Sequence, residues 1–132
     1  MLCEYRSDNQ ECLEAMKAHF ERIFKNAQSA DVNLNIKLIG DRPCMGKIDL
    51  KKIENLTKIC REIIEDTLKI KVSTYSSSTD CNIPLSFGIP ALCIGVYNGG
   101  GMHKREEWVE KATLHLGLEV GIKVAVSVLK EV

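Results

Sequence analysis

Three consecutive glycines run into a histidine in Asn98-Gly99-Gly100-Gly101-Met102-His103. A histidine presented there can offer a neutral ring nitrogen to zinc, while Glu106 or Glu107 just downstream holds the other nitrogen in place. The competing reading is a solvated loop histidine. On the residues alone that reading leads, because one histidine with no companion ligand at fixed spacing is a poor metal signature. The glycines invite an anion cradle at a helix start. Neither a GxGxxG fingerprint nor a Gly-Lys-Ser/Thr loop is present, however. They say instead that the backbone turns tightly or passes close to something.

The other candidates are as open. Asp80 can ligate a metal or cap the helix that follows, and capping is favoured. Arg6 can clamp a carboxylate bidentately or stand as a strand-end charge, with the plain charge ahead. His19 sits among charged residues and reads as solvated, and His115 at the start of the last helix reads as packing or surface. Cys81 and Cys93 have no identifiable basic partner and read as core or loop thiols.

The elements that must position these groups follow from hydropathy patterning. Residues 2–5 read as a short strand, and Ser7 with Gln10 forms a capping box for a first helix. Leu13, Met16, Phe20, Ile23, Phe24 and Ala27 recur at helical spacing. Val32, Leu34, Ile36 and Leu38 then alternate with polar residues, the pattern of a strand with one buried face. Gly40-Asp41-Arg42-Pro43 breaks the pattern and marks the expected internal boundary. Ile53, Leu56, Ile59, Cys60, Ile63, Ile64 and Leu68 stripe a second helix. A strand over 70–75, the polar run Ser76 to Asp80, a short segment ending at Gly88-Ile89-Pro90, and an apolar strand over 91–96 complete the order before a final helix from about Leu114. Such apolar runs suit a parallel sheet, and ligands in open parallel sheets bind beyond the strand C-termini. The loops at 76–80 and 98–103 are therefore expected to face one crevice. The expected fold class is α/β.

Size and charge narrow the possibilities. A chain of 132 residues can bury about two-thirds of its unfolded surface. Its 18 basic and 18 acidic residues cancel, so no global field attracts nucleic acid or an anionic membrane. No apolar run approaches a membrane span and the N-terminus is too polar for a signal peptide, so a cytoplasmic protein is expected. Six cysteines without a CxxC pair, lying in helix-like and strand-like apolar patterns, read as reduced core thiols rather than a disulfide framework or a zinc knuckle.

Tyr5-Arg6-Ser7-Asp8, Gly40-Asp41-Arg42-Pro43, the run Ser78-Thr79-Asp80-Cys81-Asn82-Ile83-Pro84-Leu85, Gly88-Ile89-Pro90, and Gly99-Gly100-Gly101-Met102-His103 with Glu106-Glu107-Trp108 occur in that order. Together they resemble the zinc peptidase family of peptidase T, carboxypeptidase G, acetylornithine deacetylase and succinyl-diaminopimelate desuccinylase, over essentially the whole chain. The resemblance implies a β-α-β half of a ferredoxin-like lid over residues 1–46. An α-β-(α)-β-α piece of a mostly parallel catalytic sheet would fill residues 47–132. It implies a site for two zinc ions, or cobalt or manganese, with His103 as the last metal ligand and Glu106 and Glu107 behind it. Arg6 would grip the substrate carboxylate. Ser78, Thr79 and Asp80 would line the substrate pocket, and Asn98, Gly100 and Gly101 would run along the substrate, a small peptide or N-acyl amino acid.

The His-x-Asp pair, bridging aspartate, Glu-Glu general-base pair and further carboxylate of the family's N-terminal catalytic segment find no counterpart here. The chain alone is accordingly expected to be inactive, with that segment as its missing partner. The alternative is a non-catalytic binding or assembly module. On either view a homo-oligomer is expected, because exposed strand edges invite pairing.

Overall fold

The computed structural model describes residues 1–29 and 31–130. In chain order it contains helices α1 (Gln10–Ala27), α2 (Leu50–Leu68) and α3 (Asn82–Ser86), then strands β1 (Gly99–Gly100) and β2 (Trp108–Val109). A 3-10 turn (Lys111–Thr113) runs into helix α4 (Leu114–Leu129). The chain divides into two compact units. One holds Met1–Ile48 with Ser78–Ile89, the other Asp49–Ser77 with Pro90–Val132.

In the first unit, α1 ends at Ala27 as its periodicity requires, but its start is built differently from the expected capping box. Asn9 is the cap, its side-chain oxygen accepting the Cys12 N–H at 2.9 Å, and the Ser7 hydroxyl accepts the Asn9 N–H at 3.1 Å. The Gln10 side chain reaches forward to Glu14 instead of back to the cap. Tyr5 stacks on Phe20 at 5.1 Å between ring centroids, and Phe20 meets Phe24 at 5.7 Å, so the aromatic positions of the helical stripe gather the preceding segment onto α1.

In the second unit, Asp49 caps α2 by accepting the N–H groups of Lys51 and Lys52. The left-handed residue Lys69 (φ 55°) ends it. The Glu65 carboxylate then accepts the Val72 N–H at 3.0 Å and ties down the chain leaving the helix. Helix α4 packs on α2, burying Cys60, Ile64 and Gly117 and enclosing Val120 completely. Full burial of a valine side chain stabilises by about 1.5–3 kcal/mol. Gly117 is where the main chain of Val96 crosses α4, so close that a β-carbon there would overlap the Val96 carbonyl.

The expected α/β architecture does not form. Nearly half of the described residues are helical, and the sheet among them is one antiparallel pair, β1 with β2, Gly99 opposite Val109 and Gly100 opposite Trp108. Residues 2–5, 32–38, 70–75 and 91–96 join no ladder. The β-α-β half-lid is reduced to α1 between irregular segments. The mostly parallel α-β-(α)-β-α piece is reduced to α2, α3 and α4 with a two-residue hairpin ladder. Alternating hydropathy states which face of a strand wants burial, but a strand exists only where a neighbour takes up its N–H and C=O groups. Val32, Ile36 and Leu38 keep their alternation and stay exposed, Leu38 by 74%. By length and composition alone, residues 111–129 form a stretch that could cross a membrane, and one of its faces packs on α2.

Candidate functional site

The expected substrate residues fall into two groups, one in each unit. In the first, Ser78, Thr79 and Asp80 form a tight loop leading into α3. The Thr79 N–H donates to the Asn82 side-chain oxygen at 3.0 Å, and the Cys81 N–H donates to the Thr79 hydroxyl at 3.3 Å. The Asn82 amide donates onward to the carbonyl of Pro43, also at 3.0 Å. Arg42 lies alongside, one guanidinium nitrogen donating to the Ser78 hydroxyl at 3.3 Å and the other 3.6 Å from the Asp80 carboxylate. The Gly46 N–H closes the junction on the Leu85 carbonyl. Residues 42–46 and 78–85 therefore hold each other across a wide gap in sequence.

Asp80 is not the cap of the following helix: Cys81 holds that position, without a side-chain hydrogen bond. The carboxylate of Asp80 is fully exposed, and its pairing with Arg42 is of the kind that adds little stability. Arg6 is occupied as well, its Nε donating to Glu4 at 2.8 Å.

In the second unit, residues 98–113 form a closed loop around the β1/β2 pair. Asn98 fastens its base. The Asn98 N–H donates to the Thr113 hydroxyl at 2.9 Å, its amide donates to the Glu110 carboxylate at 2.9 Å, and its carbonyl accepts the Glu110 N–H at 2.8 Å. The side chain expected along the substrate is thus engaged in holding the loop shut. The Trp108 indole covers Gly100, with Nε1 2.9 Å from the position a β-carbon would take, so only glycine fits beneath it. Gly101 (φ 70°) makes the turn out of β1. Two further turns, Lys104 N–H to the Gly101 carbonyl and Glu107 N–H to the Lys104 carbonyl, carry the chain back to β2.

His103 stands on this return in the left-handed region, φ 64°. That conformation costs a residue with a side chain about 1–2 kcal/mol. Its main-chain N–H donates to the Glu107 carboxylate at 3.2 Å, and its exposed imidazole makes no hydrogen bond among the described residues. Glu107 therefore secures the backbone of His103 rather than its ring, and Glu106 contributes its carbonyl, lying against Gly101.

A zinc, cobalt or manganese ion held for catalysis needs three or more protein ligands. No group of three or more histidine, cysteine, aspartate or glutamate side chains converges among the described residues. Among the described residues the donor set does not fit the two-metal site that the resemblance implies; the glycine loop offers it the single imidazole of His103. The expected core placement holds for Cys44 and Cys60, which are buried, and Cys81 is half-buried. It does not hold for Cys3, Cys12 and Cys93, which are exposed because the segments and helix face that carry them have no neighbour packed over those side chains among the described residues. His19 accepts a hydrogen bond from Arg22 on the surface of α1.

The sequence reading gave Asn82, Arg42 and Trp108 no positioning role and did not single out Glu110 or Thr113. All five build the two loops through hydrogen bonds or ring contacts that leave no periodic trace. Only Thr113, a hydroxyl residue just before a helix, carried a local signal, and it turns that hydroxyl towards Asn98 and Glu110 rather than capping α4.

No protein-family model matches the chain, and no curated protein or solved structure matches it either.

Proposed function

We propose that this chain supplies substrate-holding loops and one metal-ligand histidine to a cytoplasmic metal-dependent hydrolase of small peptides or N-acyl amino acids. The remaining ligands and the general base come from another polypeptide segment. The observation that carries the proposal is the placement of His103. Glycine would adopt its left-handed backbone without cost, yet a histidine stands there, pinned by its N–H and with a free, exposed ring. A conformation held at a cost, presenting an unengaged ligand on a closed loop, is what a shared metal site asks of its donor. The chemistry is that of the zinc peptidases which the ordered sequence segments resemble.

The test is to assay hydrolysis of di- and tripeptides and N-acetyl amino acids with zinc or cobalt, first with the chain alone and then with the polypeptide encoded upstream of it. The expected result is turnover only in the mixture, lost again with His103→Gly. Absence of turnover in the mixture with either metal would refute the proposal for this polypeptide.

One observation favours a second reading, a non-catalytic assembly module. Residues 32–38 retain strand-like alternation with exposed Val32, Ile36 and Leu38 and no ladder partner among the described residues. A homo-oligomer that pairs such segments would bury them.

A further inference from the structure

Helix α4 carries one polar stripe, His115, Glu119, Lys123 and Ser127, and is apolar over the rest of its circumference. Its inner side, with Gly117, Val120 and Val124, faces the interior of the second unit, while Leu114, Leu118, Ile122, Val126 and Leu129 project outward. Leu118 and Ile122 are 66% and 56% exposed. An exposed apolar face of that length calls for a second layer, and the rest of the second unit does not supply one among the described residues.

Exposed apolar side chains occur along the chain, from Leu2 and Leu38 to Phe87, but those of α4 share one face of one long helix. We propose that the outer face of α4 is covered by α4 of a second copy of this chain, crossing it antiparallel about a two-fold axis between Gly121 and Ile122.

Three features select a second copy over other occupants. The first is steric. In an antiparallel pair centred there, Ile122 of one helix lies opposite Gly121 of the other, Leu118 opposite Ala125, and Leu114 opposite Leu129. Large residues meet small ones in the central layers. A β-carbon on Gly121 would meet nothing within 4 Å in its own chain, so an open hole stands beside the Ile122 knob, within an apolar groove lined also by Leu118 and Ala125. The second is charge. Glu119 and Lys123 at the edge of the face neutralise each other at 2.7 Å, Lys123 also reaches Thr67, and the chain carries no net charge, so two copies meet without repulsion. The third is area. The exposed parts of the five outward side chains amount to roughly 500 Å² per copy, so the pair buries about 1,000 Å², the level at which specific association begins. This inference does not rest on the hydrolase proposal.

The test is sedimentation equilibrium of the full chain in detergent-free buffer, with far-UV circular dichroism to confirm helicity. The expected result is twice the chain mass of 14.8 kDa for the wild type. Gly121→Leu fills the hole and Ile122→Glu charges the knob. Neither side chain is needed inside the monomer, so each variant should keep its helical signal and sediment at the single-chain mass. A wild-type monomer overturns the proposal, as does a dimer or larger aggregate that persists in both variants. A chain that stays monomeric in buffer but co-sediments with phosphatidylcholine vesicles also overturns it, in favour of a lipid-facing helix.

Discussion

The carboxylate of Glu107 accepts the main-chain N–H of His103 at 3.2 Å, which separates the backbone of the candidate ligand from its ring. The backbone is fixed in a left-handed turn and the imidazole is left for something else. Glu107→Ala removes the tether while leaving the β1/β2 pair and the Asn98 fastening in place. An exposed hydrogen bond of about 1 kcal/mol corresponds to roughly fivefold faster amide exchange at His103, with no change at Val120. Glu107→Gln, which keeps an acceptor, should recover most of the protection. Unchanged exchange in the alanine variant would show that the turn holds His103 without the carboxylate.

Asn82 plays the matching part in the other loop. It accepts from Thr79 and donates to Pro43, so it joins residues 42–46 to the 78–80 loop through two bonds of 3.0 Å, shorter than the contacts Arg42 makes with Ser78 and Asp80. It is half-buried, so truncation leaves the Thr79 N–H and Pro43 carbonyl to find water. Asn82→Ala is expected to destabilise the first unit by about 1–3 kcal/mol in denaturant unfolding. Arg42→Ala, which removes an exposed ion pair with Asp80 and an exposed hydrogen bond to Ser78, should cost less than about 1 kcal/mol. Equal losses from the two would place the junction on Arg42 instead.

These two loops show what a sequence makes legible. The helices were readable because their information is local: the α1 stripe from Leu13 to Ala27, the α2 stripe through Cys60 and Ile64, and the start of α4 near Leu114 each repeat every three or four residues. The sheet was not. Residues 32–38 and 91–96 specify a face and a preference, but the neighbour that would turn preference into a ladder is not encoded within them. The glycine loop was legible as a tight turn, and Gly101 confirms it with a positive φ. That Trp108 would lie over Gly100, or Asn98 against Glu110 and Thr113, depends on where a return strand lands, which no single segment records.

Acidity offers a check on the C-terminal end of α2. The carboxyl of Asp66 is lowered below its ordinary value, chiefly by a hydrogen bond from Lys69 and then by the charge of that lysine, with a smaller contribution from Lys123. A carboxyl depressed on folding adds stability above its unfolded pKa, and that contribution is lost as pH falls through the folded one. The window therefore opens near pH 4, the ordinary aspartate value, and extends downward. A carbon-13 titration of Asp66 should show a midpoint below the ordinary value in the wild type and a return towards it in Lys69→Met. An unshifted midpoint in the wild type would remove the pair from solution.

Gly117 carries the most severe steric constraint in the second unit. The Val96 carbonyl occupies the place of its β-carbon, and on the same helix Val120 is the side chain most completely enclosed. Gly117→Ala normally strengthens a helix by about 1 kcal/mol. Here the added methyl must push the 91–96 segment away from α4, and overpacking of that kind costs about 1–3 kcal/mol or more. The clash outweighs the propensity gain, so thermal unfolding should shift to lower temperature. Gly121→Ala supplies the control, because the same propensity gain there meets open space within the chain. If both alanines stabilise equally, the close crossing of Val96 over α4 does not persist in solution. If only Gly117→Ala destabilises, the segment leading to the glycine loop is anchored on α4, and the base of the His103 loop inherits its position from that crossing.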